Sequence, residues 1–269
     1  MTVTAGPGRP GLASRNPQVQ RLRRLARDPR ARAAERAFLV EGPTLVAAAL
    51  AAGAPVEAVY ADAGFDGPVL AAADAAGVAV RRLAPGVVAR VASTTTPQPV
   101  VAVTATRPAV LADLREATLV VVCAGVGDPG NLGTLTRSAL AAGAGGVFCG
   151  DGGADPYNPK CVRASAGALF HLQVVSGGSV VDGLDQLGSW GLHRLGARAS
   201  GGTPYDDLDL SRPTALVVGN EAHGLGPEVD AVLDGVVTIP MAAGSESLNV
   251  AAAAAVLCFE AARQRRHRP

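Results

Sequence analysis

The chain has 269 residues, of which 48% are apolar, 17% charged and 3% aromatic, with a formal net charge of +1. That length suits two compact domains, and the apolar content excludes a disordered chain. Its longest apolar run, residues 250–259, is ten residues and falls short of the roughly 18 that a membrane span needs. Residues 1–11 lack an apolar signal core, so the expectation is a soluble, cytoplasmic protein with no membrane partner.

The small net charge hides an asymmetry. Residues 1–36 carry nine arginines against Asp28 and Glu35, whereas residues 107–262 hold eight basic and sixteen acidic groups. An arginine-rich terminus is either a solvated helix face or an arm that releases counterions from nucleic acid. Arg21, Arg23 and Arg24 are the candidates for such contacts. The cysteines Cys123, Cys149, Cys161 and Cys258 are widely spaced and the histidines show no ligand pattern, which predicts buried thiols and no metal.

Taken in chain order, residues 1–14 read as a flexible, Gly/Pro-rich tail. Val19, Leu22 and Leu25 recur at three-residue spacing and predict an amphipathic helix over 16–27. Alternating short elements follow, with strands at 37–41, 56–60, 78–81 and 100–104 and helices at 43–52 and 68–76. They define a domain over 15–105, with 106–115 as linker.

The second domain, 116–262, repeats the rhythm more strongly. Its strands fall at 119–123, 146–149, 172–175, 191–195, 215–218 and 236–239, its helices at 132–142, 180–187 and 247–263, and a basic tail at 263–269. Strands alternating with helices predict an α/β fold with a parallel sheet, whose ligand sits at the strand C-termini.

Three loops at those ends carry the chemistry. The first, 125–137, contains Gly125, Gly127 and Gly130 as G-x-G-x-x-G between a strand and a helix, and Asp151 follows the next strand. That is the pattern of an NAD(P)-dependent oxidoreductase, although Pro129 lacks the N–H that a pyrophosphate cradle uses. The second loop, after strand 215–218, reads Gly219-Asn220-Glu221-Ala222-His223-Gly224. The third, 240–249, opens the last helix.

Taken together, N-x-G-x-x-x-R (Asn131, Gly133, Arg137), G-N-E-x-x-G (Gly219, Asn220, Glu221, Gly224) and I-P-M…S-L-N (Ile239, Met241, Ser247, Leu248, Asn249) resemble the three motifs of the SpoU/TrmH family of the SPOUT class. The stretch from Asn158 to Gly167 and the opening Arg15-Asn16-Pro17…Phe38–Gly42 also resemble that family. Its members are RNA ribose 2′-O-methyltransferases with an N-terminal, ribosomal-protein-like substrate-binding domain.

The resemblance implies a deep trefoil knot, S-adenosyl-L-methionine as cofactor, a homodimer, and ribosomal RNA ahead of tRNA as partner, with no DNA expected. It places cofactor contacts at Gly219, Asn220, Gly224, Ile239, Met241, Ser247 and Leu248, with Gly219 leaving room for the adenosine. The reaction itself falls to Arg137, Asn131, Glu221, Ser247 and Asn249.

A guanidinium is a poor base, so Arg137 is expected to clamp the phosphate and the developing oxyanion. Asn131 is expected at a helix N-cap, or orienting Arg137 or the RNA. Glu221 would orient Arg137 or accept the hydroxyl proton. Ser247 and Asn249 would cap the last helix, close the third motif or contact the ribose, and His223 reads as a loop histidine. A non-catalytic RNA-binding factor on the same fold is the third alternative.

Overall fold

The computed structural model describes residues 11–92, 96–243 and 246–266. The chain divides into two compact units between Arg107 and Pro108.

In the first unit, Asn16 Oδ1 accepts the Gln18 amide at 2.9 Å and Pro17 presets φ, which starts α1 (Pro17–Arg27). The same device recurs where Asp28 and Pro29 open α2 (Pro29–Glu35). The strands β1 (Ala37–Glu41), β2 (Val56–Asp62), β3 (Ala79–Leu83) and β4 (Val100–Ala105) form a sheet in the order β1-β4-β2-β3. Helices α3 (Pro43–Ala51), α4 (Pro68–Ala75) and α5 (Val87–Val91) connect them. Val19, Leu22 and Leu25 of α1 pack on Leu39, Tyr60 and Val103, so the three-residue spacing marks the buried face as expected.

Two expectations change here. Residues 11–14 are tied down rather than loose: Leu12 N donates to Arg82 O at 2.8 Å and Ala84 N to Leu12 O at 3.0 Å. Residues 1–10 of the expected tail lie outside the described residues. The arginine-rich helix is also partly committed. Arg21 donates through Nε to Glu35 and through Nη1 to Glu57, each at 2.5 Å, and Arg24 reaches Glu35 at 3.2 Å. The Arg21 guanidinium, with help from Arg24, holds the Glu35 carboxyl below its ordinary range against the opposing effect of burial. Arg23, Arg27 and Arg30 have no ion-pair partner among the described residues.

The second unit is a parallel sheet in the order β7-β6-β5-β10-β8-β11-β9. Its strands are β5 (Leu119–Ala124), β6 (Gly146–Cys149), β7 (Gln173–Ser176), β8 (His193–Arg198), β9 (Thr203–Pro204), β10 (Thr214–Gly219) and β11 (Gly235–Thr238). Its helices are α6 (Pro129–Ala141), α7 (Pro159–Ala164), α8 (Val180–Ser189), α9 (Pro227–Asp230) and α10 (Val250–Arg266).

Alternation along each central strand feeds two cores. Leu119, Val121 and Cys123 of β5 and Leu216 and Val218 of β10 meet α6 and α10 on one face. Val120, Val122, Ala215 and Val217 meet α8 and α9 on the other. Both faces are covered, which is why these strands read as unbroken apolar runs. All four cysteines are buried in the first of these cores, and burial pushes the Cys258 thiol up to about 12.

Several boundaries move. Strand β8 starts at His193 because Gly191, at φ +88°, is still turning the chain out of α8. Helix α10 starts at Val250 and runs through Arg266, so the expected basic tail is helical over 263–266; residues 267–269 lie outside the described residues. Among the described residues no helix is long and apolar enough to cross a membrane.

Candidate active site

The C-terminal ends of β5, β10 and β11 deliver the three sequence motifs to one edge of the sheet, as a parallel sheet with covered faces requires. Asp128 opens α6 by accepting the amides of Gly130 at 2.7 Å and Asn131 at 3.0 Å through Oδ1. Its Oδ2 takes the ammonium of Lys160 at 2.6 Å. That ion pair, aided by the amide bonds, holds the Asp128 carboxyl below its ordinary range. Asp128, and not Asn131, is therefore the N-cap, and Asn131 lies inside the first turn with its side chain free for another task.

That task is to join the motifs. Asn131 Nδ2 donates to Glu221 Oε1 at 2.8 Å, and Asn131 Oδ1 accepts from Asn249 Nδ2 at 2.9 Å. One side chain on α6 thus ties the loop after β10 to the residue that starts α10. Asn249 in turn caps α10, its Oδ1 accepting the amides of Ala251 at 2.9 Å and Ala252 at 3.3 Å.

Glu221 also accepts the amides of Gly127 at 3.0 Å and Asp128 at 3.3 Å. Burial works to raise its pKa, but the bonds from Asn131, Gly127 and Asp128 outweigh it and hold the carboxyl low. A carboxylate so held is a weak base and an effective loop clasp. It has no bond to Arg137.

The glycines have local causes. Gly133 sits where α6 crosses α7, and a Cβ there would collide with Cys161 O and Ala164. A Cβ on Gly219 would strike the backbone of Gly224, because the loop closes on itself through Asn220 N–Gly224 O and Gly224 N–Asn220 O, both 2.9 Å. The room expected beside a ligand at Gly219 is taken by its own loop. Gly224 itself turns at φ +67°. Asn220 completes the turn: Nδ2 donates to Gly125 O at 2.9 Å, while Oδ1 accepts the amides of Ala222 and His223.

Beneath these loops lies a cavity of about 540 Å³. Gly219, Asn220, Glu221 and Gly224 form one wall; Ile239, Met241, Ser247, Leu248 and Asn249 form another. Gly244 and Ser245 of the third motif lie outside the described residues. The end of β8, from Ala197 to Ala199, supplies a third wall that motif reading missed; its only sequence signal is its place at a strand C-terminus.

Arg137 and Asn131 are not among the lining residues. Arg137 is exposed on the third turn of α6 with no hydrogen-bond or ion-pair partner among the described residues. His223 is exposed, its ring Nδ1 3.1 Å from Asn220 Oδ1.

The dinucleotide alternative fails on the same geometry. A pyrophosphate needs free amides at the helix start, yet those of Gly127, Asp128, Gly130 and Asn131 are all occupied by Glu221 and Asp128. Asp151, the residue placed for a ribose, accepts the Gly178 amide at 2.9 Å.

Fold and site together define an α/β protein with three loops clasped together at the edge of a parallel sheet, two of which line a cavity. Residues 118–259 match the SpoU rRNA Methylase family, and residues 16–102 match the MRM3-like substrate binding domain. The chain belongs to the SpoU rRNA methylase family.

The chain is similar to the 23S rRNA (guanosine(2553)-2'-O)-methyltransferase RlmP of Bacillus subtilis (strain 168), with 35% identity over 222 residues, 82% of this chain and 87% of that one. It is 41% identical over 142 residues to the 23S rRNA (uridine(2479)-2'-O)-methyltransferase of Streptomyces viridochromogenes, a match spanning 51% of this chain and 50% of that relative. Among solved structures, the SpoU methyltransferase AviRb of Streptomyces viridochromogenes in complex with AdoMet superposes with a TM-score of 0.84 at 32% identity, covering 95% of this chain and 100% of that one. The AdoMet-bound rRNA methyltransferase of Sinorhizobium meliloti gives a TM-score of 0.81 at 30% identity, over 92% of this chain and 95% of that one.

Proposed function

We propose that the protein transfers a methyl group from S-adenosylmethionine to the 2′-hydroxyl of a ribose in ribosomal RNA. The observation that carries this reading is the relay Glu221–Asn131–Asn249, in which the first family motif ties together the second and third, the two that line the cavity. The cavity fits the cofactor: its volume lies in the range of small-ligand sites, and its walls combine apolar side chains such as Ile239 and Leu248 with polar ones such as Asn220 and Ser247, as a molecule with both an apolar and a polar part requires. Leu248 is 41% exposed where it lines the cavity, apolar surface that a bound nucleobase would cover.

The cofactor supplies an activated methyl group and its own leaving group. The chain's residues position and stabilise. Arg137, exposed and unpaired, is suited to grip the RNA phosphate beside the reacting hydroxyl and to stabilise negative charge developing on the oxygen. Glu221, Asn131 and Asn249 hold the loops in register and would keep the cofactor and the ribose oriented towards each other. Ser247 lines the cavity, has no bonded partner among the described residues, and so has a hydroxyl available to a ribose.

Arg137 does not line its own chain's cavity, which supports a homodimer in which each protomer's arginine serves its partner's site. Ala252, Val256 and Phe259 make an apolar i, i+4, i+7 stripe on α10, with Val256 38% and Phe259 48% exposed, suited to such an interface. The knot implied by the family belongs to the same reading, as do a cytoplasmic location beside the ribosome and RNA selection by the first unit. Nucleotide-by-nucleotide mapping of ribose methylation in ribosomal RNA from a strain lacking the gene tests it. One ribose should lose its methyl group and regain it on complementation; an unchanged map refutes the reading.

A further inference from the structure

We propose that Arg198 is a cofactor-binding residue that receives the α-carboxylate of the amino-acid tail of S-adenosylmethionine. The inference rests on the methyltransferase reading and adds a subsite to it. Arg198 ends β8, in register with Thr238 of β11, the residue immediately before Ile239 in the cavity wall. That position is the sheet edge where the motif loops converge.

Among the described residues that line the cavity, only Arg198 and Glu221 carry a permanent formal charge, and they differ in sign. The cofactor's tail is a zwitterion whose carboxylate must find a cation or stay in water. Glu221 repels it, and Arg198 is the cation available.

The side chain is also held for the task. Its Nη2 forms an ion pair with Asp230 Oδ2 at the end of α9. Nε and Nη1 have no described partner, and the side chain is 42% exposed, so a ligand can reach it. Guanidinium offers five N–H donors in a planar fork, enough to keep Asp230 on one edge and bind a carboxylate on another. Asp230 Oδ1 is buried without a partner among the described residues, so Arg198 is the anchor of this carboxylate there, and the carboxylate in turn fixes where the guanidinium points.

The test compares two nucleosides on the full-length protein by isothermal titration. S-adenosylhomocysteine carries the amino-acid tail, whereas 5′-methylthioadenosine lacks it and keeps the adenosine and sulfur. Arg198→Gln should weaken S-adenosylhomocysteine about ten- to a hundredfold, as expected for loss of a charge-assisted pair, and leave 5′-methylthioadenosine unchanged. Arg198→Lys should recover part of the loss. Unchanged methylthioadenosine binding also shows that the cavity has stayed folded.

Equal loss for both nucleosides, or no loss for either, overturns the assignment. So does a variant that binds both nucleosides normally while RNA binding falls, because the arginine would then serve a phosphate. If the wild-type protein binds neither nucleoside, the methyltransferase reading fails, and the assignment fails with it.

Discussion

Replacing Asn131 by alanine removes both bonds of the relay at once, the 2.8 Å bond to Glu221 and the 2.9 Å bond from Asn249. In a dry interior, a bond to a charged group contributes about 1.5–3 kcal/mol and a neutral one about 0.5–1.5. Glu221 and Asn249 are exposed, and water replaces much of what is removed. The expected cost to folding is therefore on the order of 1 kcal/mol, a fall in Tm of roughly 2–4 °C for a unit of this size.

Ligand binding should suffer more. Glu221 and Asn249 line the cavity and Asn131 does not, so loosening their clasp makes the ligand order two loops that are now held in advance. S-adenosylhomocysteine affinity should fall about tenfold by titration. In a double-mutant cycle with Asn249→Ala, the two losses should fall short of additive by about 0.5–1 kcal/mol. Wild-type affinity and Tm in Asn131→Ala would refute the claim that the relay preorganises the site.

Arg137→Ala should collapse turnover while leaving S-adenosylhomocysteine affinity within about twofold; a parallel loss of both would place it at the cofactor. Gly133→Ala should destabilise the second unit by about 1–3 kcal/mol in a denaturant melt, because α7 blocks the new methyl. Neutralising Arg23, Arg27 and Arg30 should reduce the salt dependence of RNA binding by roughly one unit of log–log slope for each phosphate left without its cation, whereas Arg21→Gln should lower Tm by breaking its pairs with Glu35 and Glu57.

The bond from Arg194 lowers the Asp234 carboxyl to about 2, against opposing burial. A lowered carboxylate stabilises the fold above its unfolded pKa of about 3.9, and that stability drains as pH falls towards 2. Asp234→Asn should flatten this part of the stability–pH curve in acid melts; an unaltered curve would show that the pair adds nothing.

Much of the fold was legible because its strands carry their own period and its helices their own starts. Asp128-Pro129 and Asn158-Pro159 both announce helices, yet the six-residue α7 has too few turns for apolar spacing to register, and α6 was expected three residues late. That shift is what cast Asn131 as a cap. The motif residues were legible by type and spacing, but not the bonds among them. Asn131 is 90 residues from Glu221 and 118 from Asn249, and only the sheet order brings them together.

The same limit applies to the N-terminal arginines. Partners 14 and 36 residues away turn Arg21 from a candidate RNA contact into a structural ion. Arg198 lies in no motif, and its importance comes from the end of β8 facing the cavity.

Ribose methylation can be measured directly on the purified protein. The purified protein is incubated with labelled S-adenosylmethionine and unmodified ribosomal RNA, and the product is digested to nucleosides. Label should appear in a single 2′-O-methylated nucleoside and be absent with Arg137→Ala. Label on a base, or no transfer to naked RNA or to ribosomal particles, would contradict ribose methylation.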